Sequence, residues 1–290
     1  MAKRKEGQTR SASVDLSQEG VHWDQPMSYG DYLQLEPLLS AQRPGTAEHD
    51  EMLFIVIHQV SELWLKQCLH EAHAAAAHIA SDRLRPAFKM LTRVSRIQAQ
   101  MINAWEVLVT MTPADYARFR DSLGQSSGFQ SFQYRELEFL LGNKNAAMIE
   151  VHRRHPERYR RLSEVLHAPS LYDISLQLLA RRGFALPDSV VARDWSEPYR
   201  PCDEVEQAWA DIYRDTGRYW ELYELAEKLV DTEYHFHQWR FSHLKTVERI
   251  IGQKPGTGGT GGASYLAKAL DLQFFPELWS VRTTLEEGAS

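Results

Sequence analysis

The sequence predicts an all-α fold, a single-domain helical bundle with long central helices. Apolar residues recur at helical spacing over long segments, and capping signals mark where several of these segments begin and end. No alternating run of apolar and polar residues bounded by turn dipeptides indicates a sheet. A chain of 290 residues is also long enough to bury a sizeable core.

The helical segments follow one another along nearly the whole chain. Residues 1–20 are polar and predict a flexible tail, whereas residues 21–290 predict one domain. In chain order, the helical patterns cover about 28–40, 48–79, 82–110, 112–123, 129–142, 145–168, 170–183 and 203–252.

Two boundaries carry specific signals. Thr112 is a predicted N-cap, followed by Pro113 at the first helical position and Asp115 in the first turn. Gly252 stands where a left-handed residue would end the last long helix.

Two stretches do not predict helices. Residues 185–204 form a proline-containing excursion, and residues 252–265, GQKPGTGGTGGASY, form a glycine-rich loop. The loop follows no strand and lacks a Lys-Ser/Thr ending, so it is neither a P-loop nor a dinucleotide fingerprint. It is either merely flexible or a lid over a pocket at the helix end.

Composition excludes several classes of protein. The net charge of −6 and the lack of a long basic block argue against a nucleic-acid binder. The two cysteines, Cys68 and Cys202, are far apart and suit a reducing compartment. Neither a secretory signal nor a stretch of membrane-spanning length is visible. We therefore expect a cytoplasmic protein that associates with neither nucleic acid nor membrane.

Two histidines stand on apolar helical stripes. His58 shares a face with Phe54 and Leu65, and His243 lies on a stripe with Phe236 and Trp239. Each is either a neutral core histidine bonded to a carbonyl or one side of a cofactor pocket. A single histidine on an aromatic-rich stripe is also typical of a proximal haem ligand.

Other patterns are less specific. The histidines and carboxylates have neither zinc-site nor di-iron spacing, which argues against a metal ion held by protein ligands alone. Arg240 either serves an acidic group of a cofactor or faces solvent. Tyr116 and Arg120, one helical turn apart in YARFR, are either surface packing or a clamp for a carboxylate, to which arginine presents a planar fork.

Taken together, these stretches resemble the tryptophan 2,3-dioxygenase family. The motifs that carry the resemblance run in family order from about residue 21 to 283, and they include MSYGDYLQL, HDEMLFIVIHQVSELWLKQ, MTPADYARFRDSLGQSSGFQSFQYRELEFLLGNKN, APSLYD, KLVDTEYHFHQWRFSHLKTVERIIGQKPGTGG and FFPELWSVRT. The resemblance implies a homotetramer, a dimer of dimers, of all-helical subunits that each enclose a haem b pocket. It also implies an enzyme that uses ferrous haem and O2 to cleave the indole C2–C3 bond of L-tryptophan, giving N-formyl-L-kynurenine at the start of tryptophan degradation.

The resemblance also implies roles for individual residues. His243 in RFSHLKTV would be the axial ligand of the haem iron, and His58 in FIVIHQ would be the distal histidine that accepts the indole N–H. The remaining substrate contacts would come from Phe54, Ile55, Val56, Ile57, Tyr116, Arg120 and Thr257. Residues Tyr29, Tyr32 and Leu33 of the SYGDYL segment would reach into the site of a neighbouring subunit.

Two other functions compete with this one. An indoleamine 2,3-dioxygenase-like enzyme would share the fold and chemistry but accept a broader range of substrates. A haem electron carrier would use His58 and His243 as two iron ligands, and Tyr116, Arg120 and Thr257 would then have no purpose.

Overall fold

The computed structural model describes residue 19 and residues 26–285, and these residues form helices and connecting turns without a β-strand. The all-α prediction is therefore confirmed. The thirteen α-helices of the described residues are, in chain order, α1 (Tyr29–Leu33), α2 (Leu35–Leu39), α3 (His49–Ala80), α4 (Leu84–Leu108), α5 (Pro113–Phe119), α6 (Phe132–Leu141), α7 (Pro156–His167), α8 (Leu171–Arg181), α9 (Asp188–Val191), α10 (Asp203–Arg214), α11 (Trp220–Ile250), α12 (Ala263–Ala269) and α13 (Pro276–Thr284). Three 3₁₀ helices add Arg120–Leu123, Gly128–Gln130 and Ala146–His152.

The chain divides into two compact units, one ending at Arg43 and one beginning at Pro44. The described part of the first unit holds α1 and α2, and Gln34, in the left-handed conformation at φ 52°, separates them. The tail predicted at residues 1–20 lies outside the described residues except for residue 19. The assignment of residues 21–290 to one domain stays a prediction.

Three long helices organise the second unit. Helix α3 packs along α4, α4 packs along α11, and α3 also meets α6 and α8. Their buried positions recur every three to four residues, as in Leu84, Ala87, Leu91 and Val94 of α4, so each helix turns an apolar stripe inward. The stripes of α3, α4 and α11 form the centre of the core.

Both predicted boundary signals are confirmed. The Thr112 hydroxyl accepts the N–H of Asp115, whose carboxylate accepts the N–H of Thr112, which completes a capping box at the start of α5. At the end of α11, Gly252 has φ +70° and donates its N–H to the carbonyl of Val247 at 3.1 Å.

The structure differs from the sequence prediction at several helix boundaries and in three short helices. The pattern over 203–252 is broken at Asp215–Tyr219, where Gly217 weakens the helix and Asp215 accepts the N–H of Arg218 at 3.0 Å. The pattern over 145–168 is divided before Pro156, which starts α7. The short helices α9, α12 and α13 were missed, although Pro276 at the first position of α13 is a start signal.

Of the two interpretations of Arg240, the solvent-facing one is wrong, and a contact with an acidic group of a cofactor stays a prediction. Arg240 is only 3% exposed, so it does not face solvent. Its guanidinium donates to Glu138 at 2.6 Å and to the carbonyl of Ala269 at 2.9 Å. Arg135 also pairs with Glu138, so the carboxylate is shared by two buried cations. Arg240 therefore joins α11 to α6.

Among the described residues, the structure contains no helix whose length and apolar character would let it cross a bilayer.

Candidate active site

His58 lies on α3 in an aromatic environment. Its Nδ1 is 2.7 Å from the carbonyl oxygen of Phe54, one turn earlier, so a neutral ring donates Nδ1–H there and keeps Nε2 as an acceptor. The rings of Phe54 and His58 are 4.1 Å apart. Removal of the half-buried ring from water lowers the pKa of His58, and the Phe54 carbonyl opposes this effect only in part. The imidazole is therefore neutral at pH 7.

His243 lies on α11 between two indoles. Its ring stacks on Trp105 at 4.6 Å with an interplanar angle of 4°, and the ring of Trp239 is 5.5 Å away. Burial, and secondarily the charge of His58, lower the pKa of His243 to about 4. Within the described chain its ring has no hydrogen-bond partner, so the nitrogens of a neutral imidazole remain available as a donor and an acceptor.

Trp105 of α4 connects the two histidines. Its ring stacks on His243 and meets His58 edge-on at 6.4 Å. The indole Nε1 atoms of Trp105 and Trp239 are both buried without a hydrogen-bond partner. Because buried donors are nearly always satisfied, two unpartnered N–H groups beside one histidine indicate a site for a polar ligand or cofactor.

Tyr116 and Arg120 lie next to this aromatic cluster. Phe54 is 6.0 Å from the ring of Tyr116 and 5.6 Å from that of Phe119, so α5 packs on the same face of α3 as His58. Burial raises the pKa of the Tyr116 phenol, and the neighbouring Arg120 partly offsets the rise. The Arg120 side chain donates to the carbonyl of Pro255 at 2.8 Å, which places it against the glycine-rich loop.

The glycine-rich loop packs closely on the chain after α5. The Thr257 hydroxyl donates to the carbonyl of Ser126. A Cβ on Gly258 would lie 2.6 Å from Cβ of Ser127, a distance that side chains do not tolerate, so glycine permits this approach. The structure thus brings Thr257 to the side of the site that carries Arg120. A cavity of about 230 Å³ borders this region and is lined by Tyr116, Arg120 and the end of α11.

The other residues implied by the resemblance have different surroundings. Ile57 is 8% exposed, whereas Val56 is 36% exposed on the side of α3 opposite Phe54 and His58. Ile55 is half-buried. In the first unit, α1 exposes Tyr29, Tyr32 and Leu33. Roles for these residues in the site remain predictions.

Sequence reasoning missed Trp105, which contacts both histidines. The available signal was its position on the apolar stripe of α4, with Met101 and Leu108. Such a stripe does not distinguish a core tryptophan from one that lines a site. Among the described residues, no group of three or more His, Cys, Asp or Glu side chains is placed to hold a metal ion.

Fold and site together define a class of protein: a helical bundle in which two neutral histidines on separate long helices share one aromatic-lined site. The sequence profile of the family described as tryptophan 2,3-dioxygenase matches residues 15–168 and 162–285. A tryptophan 2,3-dioxygenase of Bacillus cereus (strain ATCC 10987 / NRS 248) is 54% identical over 272 residues, which cover 93% of this chain and 98% of the relative. Those of Polaromonas sp. (strain JS666 / ATCC BAA-500) and Burkholderia pseudomallei (strain 1106a) are each 56% identical, over 94% of this chain and 91% of their own. The chain belongs to the tryptophan 2,3-dioxygenase family.

Proposed function

We propose that the protein is a haem-dependent dioxygenase that inserts both atoms of O2 across the indole C2–C3 bond of L-tryptophan and forms N-formyl-L-kynurenine. This reaction begins the degradation of tryptophan by the kynurenine pathway. The observation that carries the proposal is the pair of neutral histidines on α3 and α11, joined through Trp105 and flanked by Tyr116 and Arg120. Membership of the family supports the same substrate and reaction.

Haem b fits the donors of this site. A neutral imidazole is a usual ligand of haem iron, and His243, whose pKa is lowered to about 4, would hold the haem without competition from protons at neutral pH. The unpartnered indole N–H groups of Trp105 and Trp239 supply donors beside it. When bound in its ferrous state, haem supplies the activation of O2.

His58 and Phe54 orient the indole. With Nδ1–H committed to the Phe54 carbonyl, His58 presents Nε2 as an acceptor for the indole N–H. The phenyl ring of Phe54 offers a flat apolar surface against which the substrate ring packs. The half-buried aromatic walls also limit the water that reaches the reacting carbon atoms. In this proposal Ile55, Val56 and Ile57 complete the substrate-binding segment of α3.

Arg120, Tyr116 and Thr257 bind the amino-acid part of the substrate. Arg120 donates one N–H to the carbonyl of Pro255, and the other N–H donors of its planar guanidinium remain for a carboxylate. The phenol of Tyr116, whose pKa is raised by burial, remains a neutral donor beside it. The hydroxyl of Thr257, now directed to Ser126, would turn to the carboxylate and ammonium when substrate enters.

The proposed assembly is a cytoplasmic homotetramer in which Tyr29, Tyr32 and Leu33 of one subunit complete the site of its neighbour. Two observations support an assembly. Tyr29 and Tyr32 are 76% and 75% exposed in the single chain. Helix α3 also exposes Met52, Val56 and Leu63, an apolar row that association would bury.

The reaction itself is tested with the reduced, haem-loaded protein mixed with L-tryptophan in air. We expect N-formylkynurenine to appear, by its absorbance, at a rate proportional to haem content. D-tryptophan and tryptamine should be poor substrates, whereas efficient turnover of both would favour the indoleamine 2,3-dioxygenase-like function. No product, together with a six-coordinate low-spin ferrous spectrum, would favour the electron carrier.

A further inference from the structure

Glu51, in the first turn of α3, lies at the centre of a hydrogen-bonded cluster that the reaction does not explain. Its carboxylate accepts the N–H of Gly45 at 2.8 Å, the N–H of Thr46 at 2.8 Å and the hydroxyl of Thr46 at 2.5 Å. The residue is only 3% exposed. The Thr46 hydroxyl contributes most to holding the pKa of Glu51 below its ordinary value.

The same carboxylate reaches the turn that carries Arg120. Glu51 Oε1 is 3.4 Å from Oγ of Ser122, and that hydroxyl donates to the carbonyl of Phe119 at 2.6 Å. Arg120 lies between these two residues in the chain, at the junction of α5 and the following 3₁₀ helix. Glu51 therefore contacts, through the Ser122 hydroxyl, the turn whose geometry sets the starting direction of the Arg120 side chain.

A second contact also joins α3 to this turn. Glu51 and Phe54 are three residues apart on α3 and share a helical face, and Phe54 packs against Phe119 at 5.6 Å. Gly45 lies between Glu51 and Ser122: a Cβ on Gly45 would be in ordinary van der Waals contact with both, at 3.5 Å from Glu51 Oε1 and 3.6 Å from Cβ of Ser122. The start of α3, the 45–46 segment and the Arg120 turn thus form one packed unit.

We infer that Glu51 is a positioning residue for the substrate carboxylate: its carboxylate fixes the 119–122 turn and thereby the direction of the Arg120 guanidinium. A bidentate contact between arginine and a carboxylate requires both groups in a defined relative orientation. A small displacement of a positioning group is costly to substrate binding even when no contact with the substrate is lost. The inference rests on the proposed role of Arg120.

The test compares two ligands of the haem-loaded protein by equilibrium dialysis. L-tryptophan carries the carboxylate, whereas tryptamine has the same indole and ammonium without it. In Glu51→Gln, the Kd of L-tryptophan should rise about tenfold, the effect of one lost charge-assisted contact, while the Kd of tryptamine stays unchanged. Glu51→Asp, which keeps the charge, should recover part of the affinity.

Two further variants guard against a folding defect. Thr46→Val removes the hydroxyl that donates to Glu51 and accepts the N–H of Glu48 at 3.2 Å. It should raise the Kd of L-tryptophan about threefold without affecting tryptamine. Glu48→Gln is the matched control, because Glu48 also joins α3 to α5, through an exposed pair with Arg118 at 3.6 Å. Exposed pairs contribute little, so this variant should bind both ligands as the unmodified protein does.

The outcomes separate this inference from the proposed function. The positioning role would be overturned if Glu51→Gln and Thr46→Val weakened the binding of L-tryptophan and tryptamine equally. It would also be overturned if neither variant weakened the binding of either ligand. Arg120→Lys tests the premise: if it lowers affinity for L-tryptophan alone, the clamp is correct whatever Glu51 does. If Arg120→Lys leaves both affinities unchanged, the assignment of Arg120 fails, and the role of Glu51 fails with it.

Discussion

At the scale of single residues, the site depends on keeping two imidazoles uncharged. Burial lowers the pKa of both His58 and His243, and the charge that His58 would carry when protonated lowers that of His243 further. A neutral histidine can ligate iron or accept a hydrogen bond, whereas a protonated one can do neither. In the proposed reaction the aromatic surroundings of the two histidines thus have a role, since they disfavour the protonated form that could neither ligate iron nor accept a hydrogen bond.

His58→Ala should reduce kcat/KM for L-tryptophan without abolishing turnover, because His58 orients the indole and an electron-rich ring can react before its N–H is lost. The pKa of His58 is lowered, so its acceptor nitrogen is fully available above the ordinary value of 6.5 and is lost only as pH falls below it. The decrease in kcat/KM at acidic pH should therefore be smaller in His58→Ala than in the unmodified protein. The measurement is the pH profile of both proteins.

Two results would contradict this role of His58. Turnover at the haem-free background would make the histidine obligatory. An unchanged kcat/KM at every pH would show that it does not contact the substrate.

At the scale of secondary-structure elements, sequence signals predicted the helices better than their ends. Thr112 and Gly252 placed two boundaries correctly because a capping box and a left-handed glycine are local properties of the chain. The break at Asp215–Tyr219 carried a weaker signal, a single glycine in an otherwise helical pattern. The burial of Arg240 could not be predicted, because its partner Glu138 is 102 residues away in the chain.

The same contrast applies to the site. His58, His243, Tyr116 and Arg120 were singled out by local patterns, which left each open between packing and a functional role, and the resemblance alone implied their roles. Trp105 was not singled out, because only the packing of α4 between α3 and α11 brings it to both histidines.

The end of α7 offers a test of stability at this scale. Lys144 is 2% exposed, and its ammonium donates to the carbonyls of Val165, Leu166 and Ala168 at 2.7 to 3.1 Å. Lys144→Met would leave these acceptors without a donor and should lower the free energy of unfolding by about 3 kcal/mol. The measurement is urea unfolding, with the exposed Lys89→Met as control. Equal stability of the two variants would show that water replaces the lysine.

At the scale of the whole molecule, the single chain presents surfaces that its own core does not use. Tyr29, Tyr32 and Leu33 in the first unit and Met52, Val56 and Leu63 on α3 are all exposed. A sequence with helical periodicity predicts which residues face a core, but it does not say whether that core lies within one subunit or between two. The tetramer therefore came from the resemblance alone and remains a proposal.

The assignment of His243 as the axial ligand of haem is the claim on which the proposed reaction depends. It is tested most directly by titrating haem into His243→Gly, His58→Gly and the unmodified protein, each with and without imidazole, and recording the ferrous spectra. We predict that only His243→Gly loses the five-coordinate histidine-ligated spectrum and that added imidazole restores it. An unchanged spectrum in His243→Gly, or its loss in His58→Gly instead, would contradict the assignment.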